Sequence, residues 1–317
     1  MPLNIVITDA DTVFDRHVSP EVFSGYGTVV TCRLEDEEDI REKLANADVV
    51  LCNKTVFDAA RFALAPKLKY IGLFATGYNN IDLAEASRRG VVVCNAPAYS
   101  TEAVAQHTFA LLLELTDRVC KYNETVRIGD WIKSRTFSYF PLPHMELAAK
   151  TIGLVGYGAI GRRVADIALA FGMRVLVMNR SKINDPRVTQ VEFDTLLAES
   201  DVLSLHCPLN AQSADLMDAT AFAKMRDGAY FINTARGGLV VEEALAAALN
   251  NGKLAGAGID VLRTEPMKPD CALIGLENCV ITPHVSWAGP ETRRRLLSVV
   301  EDNLAAFLAG SPKNQVN

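Results

Sequence analysis

The sequence predicts an α/β protein made of two doubly wound parallel-sheet domains. Three observations carry that prediction. The 317 residues exceed one ordinary hydrophobic core and suit two. Short apolar strands alternate with helical stretches through most of the chain, the rhythm of βαβ units. Finally, the apolar run TIGLV (151–155) leads straight into a Gly-x-Gly-x-x-Gly turn and a helix-forming segment, opening a second α/β series.

In chain order, the first series has strands in NIVITDA (4–10), VVLCNK (49–54), YIGLFAT (70–76) and VVVCN (91–95). Helical patterns EDIREKLANA (38–47) and DLAEASRRG (82–90) lie between them, and the unit covers residues 1–98. STEAVAQHTFALLLELTDRVCKY (100–122) can be capped by Ser100 or Thr101 and is apolar nearly all round, which predicts a helix buried between layers. Residues 127–148 are irregular and carry Trp131, Phe137, Tyr139 and Phe140, reading as a packing or dimer-contact loop.

The second series runs TIGLVGYG (151–158), VLVMN (175–179), VLSLHCP (202–208), AYFINTA (229–235), GAGIDV (256–261) and CVITPH (279–284). EDNLAAFLAG (301–310) forms a closing helix that can pack back on the first unit. The expected division is therefore residues 1–98 plus 286–317 as one domain and 99–285 as the other.

Composition excludes several classes. Apolar residues at 49% and charged residues at 22% belong to an ordinary globular chain. A net charge of −6 argues against nucleic acid or an anionic membrane as partner. The N-terminal MPLNIVITDADTVFD has neither a cationic leader nor a small-residue cleavage site, and no run approaches the roughly 18 apolar residues that span a bilayer. A cytoplasmic location is expected. The seven cysteines include no C-x-x-C pair, so neither a disulfide framework nor a metal site is expected.

The turn Gly156-x-Gly158-x-x-Gly161 stands in the context that gives such a motif meaning. The first glycine permits a tight turn, the second lets backbone approach a pyrophosphate, and the third lets helix and strand pack closely. The phosphate would sit on the N–H groups of the helix start. A carboxylate at the end of the next strand would bind a ribose 2′-hydroxyl and mark NAD. Here the residues are Asn179, Arg180 and Ser181. Asn179 removes the repulsion that excludes a 2′-phosphate, and Arg180 and Ser181 can bind one, which favours NADP(H) over NAD(H). The other reading keeps Arg180 as a solvated charge and lets Asn179 bond the ribose of NAD.

Three residues stand at or beyond predicted strand ends, where open α/β sheets place ligands. Arg236 follows FINTA, Glu265 lies in DVLRTEP, and His284 ends CVITPH ahead of Trp287. A histidine is a natural proton donor near neutral pH, a carboxylate on its second nitrogen fixes its tautomer, and an arginine grips a carboxylate with a bidentate fork. Spacing alone does not bring the three together.

Taken together, VGYGAIGRRVADIALAFGMRVL, LHCPLN, INTARGGLVVEEALAAAL, LAGAGIDVLRTEP and NCVITPHVSWAGPETR resemble the D-isomer-specific 2-hydroxyacid dehydrogenases. FATGYNNIDLAEASRRGVVVCNAPAYSTEAVAQHT adds a match in the first half. The resemblance implies a substrate-binding domain from both chain ends, a Rossmann domain for the cofactor, an active site in the cleft between them, and a homodimer joined through the Rossmann unit and residues 127–148. It places the catalytic arginine, glutamate and histidine on Arg236, Glu265 and His284. Substrate contacts fall on Thr76 and Gly77 within a carboxylate-binding loop Ala75-Thr76-Gly77-Tyr78, on Asn53 and Lys54 beside it, and on Trp287. Cofactor contacts fall on Gly156, Gly158, Ala159, Ile160, Gly161, Asn179, Arg180, Ser181, Cys207, Pro208, Thr234, Ala235 and Asp260, with Thr101 at the nicotinamide end.

The stretch His284-Val-Ser-Trp287-Ala, with NGKLAGAGIDVL, is similar to the glycerate dehydrogenase (hydroxypyruvate reductase) branch. That implies reduction of hydroxypyruvate, and of glyoxylate, to the D-2-hydroxyacid. Larger 2-oxoacids of the phenylpyruvate or branched-chain type stay open, because pocket size is not legible here. Corepressors that sense dinucleotides keep the same three residues, but the acidic charge and lack of basic tails argue against that role. Gln106 stands where the family often has an acidic residue.

Overall fold

A computed structural model describes residues 2–317, which divide into two compact units, residues 2–100 with 288–317 and residues 101–287. In the first unit, strands β1 (Leu3–Ile7), β2 (Gly27–Thr31), β3 (Val49–Cys52), β4 (Tyr70–Leu73) and β5 (Val92–Cys94) form an all-parallel sheet in the order β2-β1-β3-β4-β5. Helices α1 (Glu37–Leu44), α2 (Ala59–Ala63) and α3 (Leu83–Arg88) supply the crossovers. Each begins behind an aspartate, Asp36, Asp58 or Asp82, whose carboxylate accepts the N–H of the third helical residue. β3 and β4 are buried along their whole length, as a parallel sheet covered on both faces requires.

The second unit opens with α4 (Thr101–Asp117) and α5 (Val119–Arg127). Its strands are β6 (Thr151–Val155), β7 (Arg174–Met178), β8 (Thr189–Gln190), β9 (Val202–Leu205), β10 (Ala229–Asn233), β11 (Leu254–Ile259) and β12 (Cys279–Ile281). They pair in parallel in the order β12-β11-β10-β9-β6-β7-β8, so the strand order reverses between β6 and β9. Helices α6 (Ala159–Ala170), α7 (Phe193–Glu199), α8 (Ala219–Lys224) and α9 (Glu242–Asn250) cover the sheet. In the first unit the reversal falls between β1 and β3. Such switch points are where open α/β sheets form crevices at their carboxyl edge.

α4 lies close on β11. A Cβ at Gly258 would meet Leu111 Cβ at 2.8 Å and one at Gly256 would meet Leu115 Cδ2 at 3.0 Å, so this strand needs its glycines for the helix to pack. The closing helix α10 (Pro290–Leu308) belongs to the first unit and buries Leu296, Leu297, Val300 and Leu304.

The structure departs from the sequence-based elements in four places. The helix expected over 100–122 breaks at Arg118, whose φ of 51° is left-handed; Glu114 accepts the N–H of Cys120, so a second helix with no buried residue begins there. α10 starts eleven residues before the expected 301, because the charged PETRRR run is helical from Pro290 and Arg293 is buried on partners far away in sequence. The edge strands β2 and β8 and the helices α2, α7, α8 and α9 are absent from the expected elements. Of residues 127–148, only the end packs into the core, through Met145 and Leu147, while Ile132 is 89%, Phe137 91% and Phe140 83% exposed. Polar bonds hold the segment instead, from Trp131 Nε1 to Phe137 O and from the Tyr122 hydroxyl to Leu142 O.

Candidate active site

In the second unit, the residues singled out from the sequence collect at the carboxyl edge of one sheet. Gly156, Gly158 and Gly161 follow β6, Asn179–Ser181 follow β7, and Cys207 and Pro208 follow β9. Thr234, Ala235 and Arg236 follow β10, Asp260 and Glu265 follow β11, and His284 follows β12. Thr101 is the first residue of α4.

The glycine turn has the geometry its spacing predicts. Gly156 has φ +100°, and a Cβ there would meet His206 O at 2.8 Å. A Cβ on Gly161 would meet Gly156 O at 2.3 Å, so the helix packs against the turn with no room for a side chain. At Gly158, the residue before α6, a Cβ would meet nothing within 4 Å. That gap over a helix N-terminus, lined by N–H groups, fits a phosphate of a dinucleotide. Tyr157 N donates to Asn179 Oδ1 and the Tyr157 hydroxyl to Asp185, tying the turn to the segment after β7. Burial and that Asp185 bond push the Tyr157 phenol up to about 12.

Asn179 is oriented by its bonds to Tyr157 N and Ser181 O, and Gln190 donates to the carbonyls of Asn179 and Ser181. Arg180 is exposed and has no ion-pair partner among the described residues. Repulsion from a carboxylate at position 179 is absent.

Arg236 is placed by Asn233, whose side chain accepts from Ala235 N and donates to Arg236 O, fixing the turn that leaves β10. One Nη1 hydrogen bonds Ala235 O at 2.7 Å, which sets the direction of the guanidinium. Glu265 Oε1 accepts the N–H of Leu262, and Oε2 lies 2.7 Å from His284 Nδ1. An ionised carboxylate can only accept, so Nδ1 carries the proton and Nε2 is the ring nitrogen turned away from Glu265. His284 has φ +54°, an uncommon left-handed backbone for a residue with a Cβ.

Asp260 holds that backbone. Its carboxylate is 1% exposed and accepts from Val285 N, Ser286 N and the Thr282 hydroxyl, while Asp260 O accepts His284 N. Burial pushes its carboxyl up, but the bonds from His107, Thr282, Val285 and Ser286 outweigh it and set the value at about 2. The carboxylate is thus occupied inside the fold. The histidine at 206 is no candidate proton donor: burial pushes it down to about 3, and its ring bonds Ser204.

In the first unit, Asn53 and Lys54 follow β3, and Thr76 and Gly77 follow the neighbouring β4. The switch point between β1 and β3 is filled by Asp9. This carboxylate, 0% exposed, accepts from the N–H groups of Asn53, Lys54 and Thr55 at 2.6–3.0 Å and from the Thr55 hydroxyl. Burial raises its pKa despite those donors. The N–H groups of 53–55 are therefore committed to Asp9. By contrast, the N–H groups of Thr76, Gly77 and Tyr78 have no acceptor among the described residues, and Thr76 Oγ1 anchors the loop on Ala96 O. Asp9→Ala strands three N–H donors, each costing about 1–3 kcal/mol when buried. The expected loss of unfolding free energy is about 2–4 kcal/mol. An unchanged urea midpoint in the variant would remove Asp9 from this anchoring role.

The comparisons bear on this arrangement. Residues 109–286, more than half of the chain, match the family model described as the D-isomer specific 2-hydroxyacid dehydrogenase, NAD binding domain. The chain belongs to the D-isomer-specific 2-hydroxyacid dehydrogenase family. It is 42% identical over 287 residues to a hydroxypyruvate reductase of Blautia hydrogenotrophica, covering 90% of this chain and 89% of that one. It is 40% identical to a glycerate dehydrogenase of Methylorubrum extorquens, covering 88% of each. The crystal structure of the TT0316 protein of Thermus thermophilus superposes with a TM-score of 0.90 at 36% identity, covering 99% of each chain. This 2-hydroxyacid dehydrogenase is accordingly an oxidoreductase with a nicotinamide cofactor, acting on a small 2-oxoacid or its 2-hydroxyacid.

The expected fold of two parallel-sheet α/β domains stands. No helix of the described residues is long and apolar enough to cross a membrane, and no cluster of three or more metal-ligating side chains occurs among them. Sequence reasoning passed over four residues of the dehydrogenase that organise its candidate site: Asp9, His107, Asn233 and Thr282. For Asn233 a signal existed, since an asparagine ahead of a turn bonds backbone two residues on. Asp9 and His107 had none, because their partners are distant in sequence.

Proposed function

We propose that the enzyme reduces hydroxypyruvate, and glyoxylate as a smaller substrate, to the D-2-hydroxyacid, drawing on NADPH in preference to NADH. The observation that carries this reading is the 2.7 Å bond between His284 Nδ1 and Glu265 Oε2 at the carboxyl edge of the cofactor sheet. The cofactor, when bound, supplies a hydride to the carbonyl carbon. His284 Nε2 gives the proton that the carbonyl oxygen gains, so the two electrons and one proton of the reduction are accounted for. Glu265 holds the ring in the orientation and tautomer this needs. Arg236 pairs with the substrate carboxylate. In the first unit, the N–H groups of Thr76 and Gly77 suit a substrate carboxylate, with Asn53 and Lys54 beside them; in the second, Trp287 suits a pocket for a small polar substrate.

Gly156–Gly161 receive the pyrophosphate, with Ala159 and Ile160 giving the first helical N–H groups. Cys207, Pro208, Thr234, Ala235, Asp260 and Thr101 border the rest of the cofactor. Asn179, Arg180 and Ser181 take the adenosine ribose, and the exposed Arg180, without an ion-pair partner among the described residues, is the group that would meet a 2′-phosphate.

A panel of hydroxypyruvate, glyoxylate, pyruvate and phenylpyruvate, each with NADH and NADPH, tests the reading by loss of reduced-cofactor absorbance. Expected is the highest kcat/KM for hydroxypyruvate and a lower KM for NADPH. Turnover of phenylpyruvate alone overturns the substrate, a strong NADH preference overturns the cofactor, and no turnover at all overturns the reductase.

We also propose that the enzyme works as a homodimer, supported by the exposed Ile132, Phe137 and Phe140. An apolar segment of that kind on a folded chain marks an interface. Sedimentation velocity returning only monomer at micromolar concentration would dismiss the dimer.

A further inference from the structure

We infer that His107 is a positioning residue for His284, acting from α4 through Thr282 and Asp260. The inference rests on the reading of His284 as proton donor. On α4, His107, Leu111 and Leu115 are spaced four residues apart and share one face. That face runs over β11: Leu115 covers Gly256 and Leu111 covers Gly258. One turn further, His107 reaches the end of the strand, where Asp260 stands. An apolar stripe thus ends in an imidazole where the strand ends in a carboxylate.

The hydrogen bonds there have only one consistent direction. The Thr282 hydroxyl has a single proton, and it is donated to Asp260 Oδ1 at 2.6 Å. The 2.9 Å contact between His107 Nε2 and Thr282 Oγ1 therefore has the imidazole as donor. His107 Nε2 also lies 3.5 Å from Asp260 Oδ1. The chain of donors runs from His107 to Thr282 to Asp260, and the same carboxylate takes the N–H groups of Val285 and Ser286, just beyond the histidine. Those bonds, with His284 N on Asp260 O, hold His284 at φ +54°. Without the His107 donor the Thr282 hydroxyl loses its anchor on α4, and the carboxylate that fixes the turn gains freedom to rotate.

Misplacement of a proton donor by about 1 Å can cost on the order of 100-fold in rate. His107→Leu continues the apolar stripe and keeps the helix packed. It is expected to lower kcat about 10- to 100-fold, with cofactor Kd, read by fluorescence of the reduced nicotinamide, within about twofold of wild type. His107→Gln, whose amide nitrogen reaches about where Nε2 lies, is expected to recover kcat to within about threefold. His107→Asn, polar but too short, is expected to behave as the leucine variant. The ring signals of His284 in a carbon–proton correlation spectrum, assigned by their loss in His284→Ala, should shift in His107→Leu and return in His107→Gln. Unshifted His284 signals in His107→Leu, or equal kcat in the leucine and glutamine variants, overturn the positioning role. A wild-type enzyme that reduces no 2-oxoacid overturns the reductase reading instead, and the spectra still decide the coupling of His107 to His284.

Discussion

His284→Ala is expected to lower kcat about 10²- to 10⁴-fold, the range that a positioned general acid supplies. The reason is local. Reduction leaves an alkoxide-like oxygen unless a proton arrives with the hydride, and water in a closed site is a poorer donor than an oriented imidazolium. Since His284 Nδ1 is bonded to Glu265, only Nε2 is available to the substrate, and alanine removes it. Affinity for reduced cofactor should stay within about twofold, because the phosphate cradle over Gly158 lies after a different strand. Stopped-flow single turnovers with saturating cofactor give the measurement. Wild-type turnover in the alanine variant would remove His284 from proton transfer. A collapse of cofactor binding would assign it a structural part instead.

Arg236→Ala is expected to reduce kcat/KM about 10²- to 10³-fold, with KM carrying much of the change. Two charge-assisted bonds to a carboxylate are together worth about 3–4 kcal/mol, since each is near 1.5–3 and the values overlap. Arg236→Lys keeps the charge and loses the planar fork, so it should recover only part of the loss. The bond from Nη1 to Ala235 O holds the guanidinium in one direction, and a lysine, whose three donors share one nitrogen, cannot hold that carbonyl and present a planar fork at once. Steady-state kinetics across a hydroxypyruvate range separate the terms. A KM unchanged in Arg236→Ala would place the substrate carboxylate elsewhere.

How much of this was legible in the sequence follows the range of the interactions. The turn Gly156–Gly161 was readable because everything it needs lies within one strand and one helix start. Strand ends at Arg236 and His284 were readable because apolar runs stop there. The short edge strands β2 and β8 were not, since each is partly or wholly exposed and carries little apolar pattern. The first turns of α10 were hidden because Arg293 looks like a surface charge until Val13 O and Asp15, about 280 positions earlier, are seen to receive it. Asp9 bonds residues 44–46 positions away, and His107 bonds one 175 away. No local pattern encodes such contacts. The Glu265–His284 pair needed the fold as well, because nothing in a 19-residue spacing aims one side chain at the other.

The two sheets present the same kind of crevice and use it in opposite ways. In the second unit the N–H groups at the switch point face open space and await an anion from outside. In the first, the chain has already delivered one of its own, on a tether of two residues beyond β1. Asp9 is an internal ligand that never dissociates, and it occupies the N–H groups that a phosphate at the same spot would need. Although both units have a topology suited to a nucleotide, the second leaves its switch point open over Gly158, whereas the self-filled crevice of the first is a rigid footing for the segment after β3.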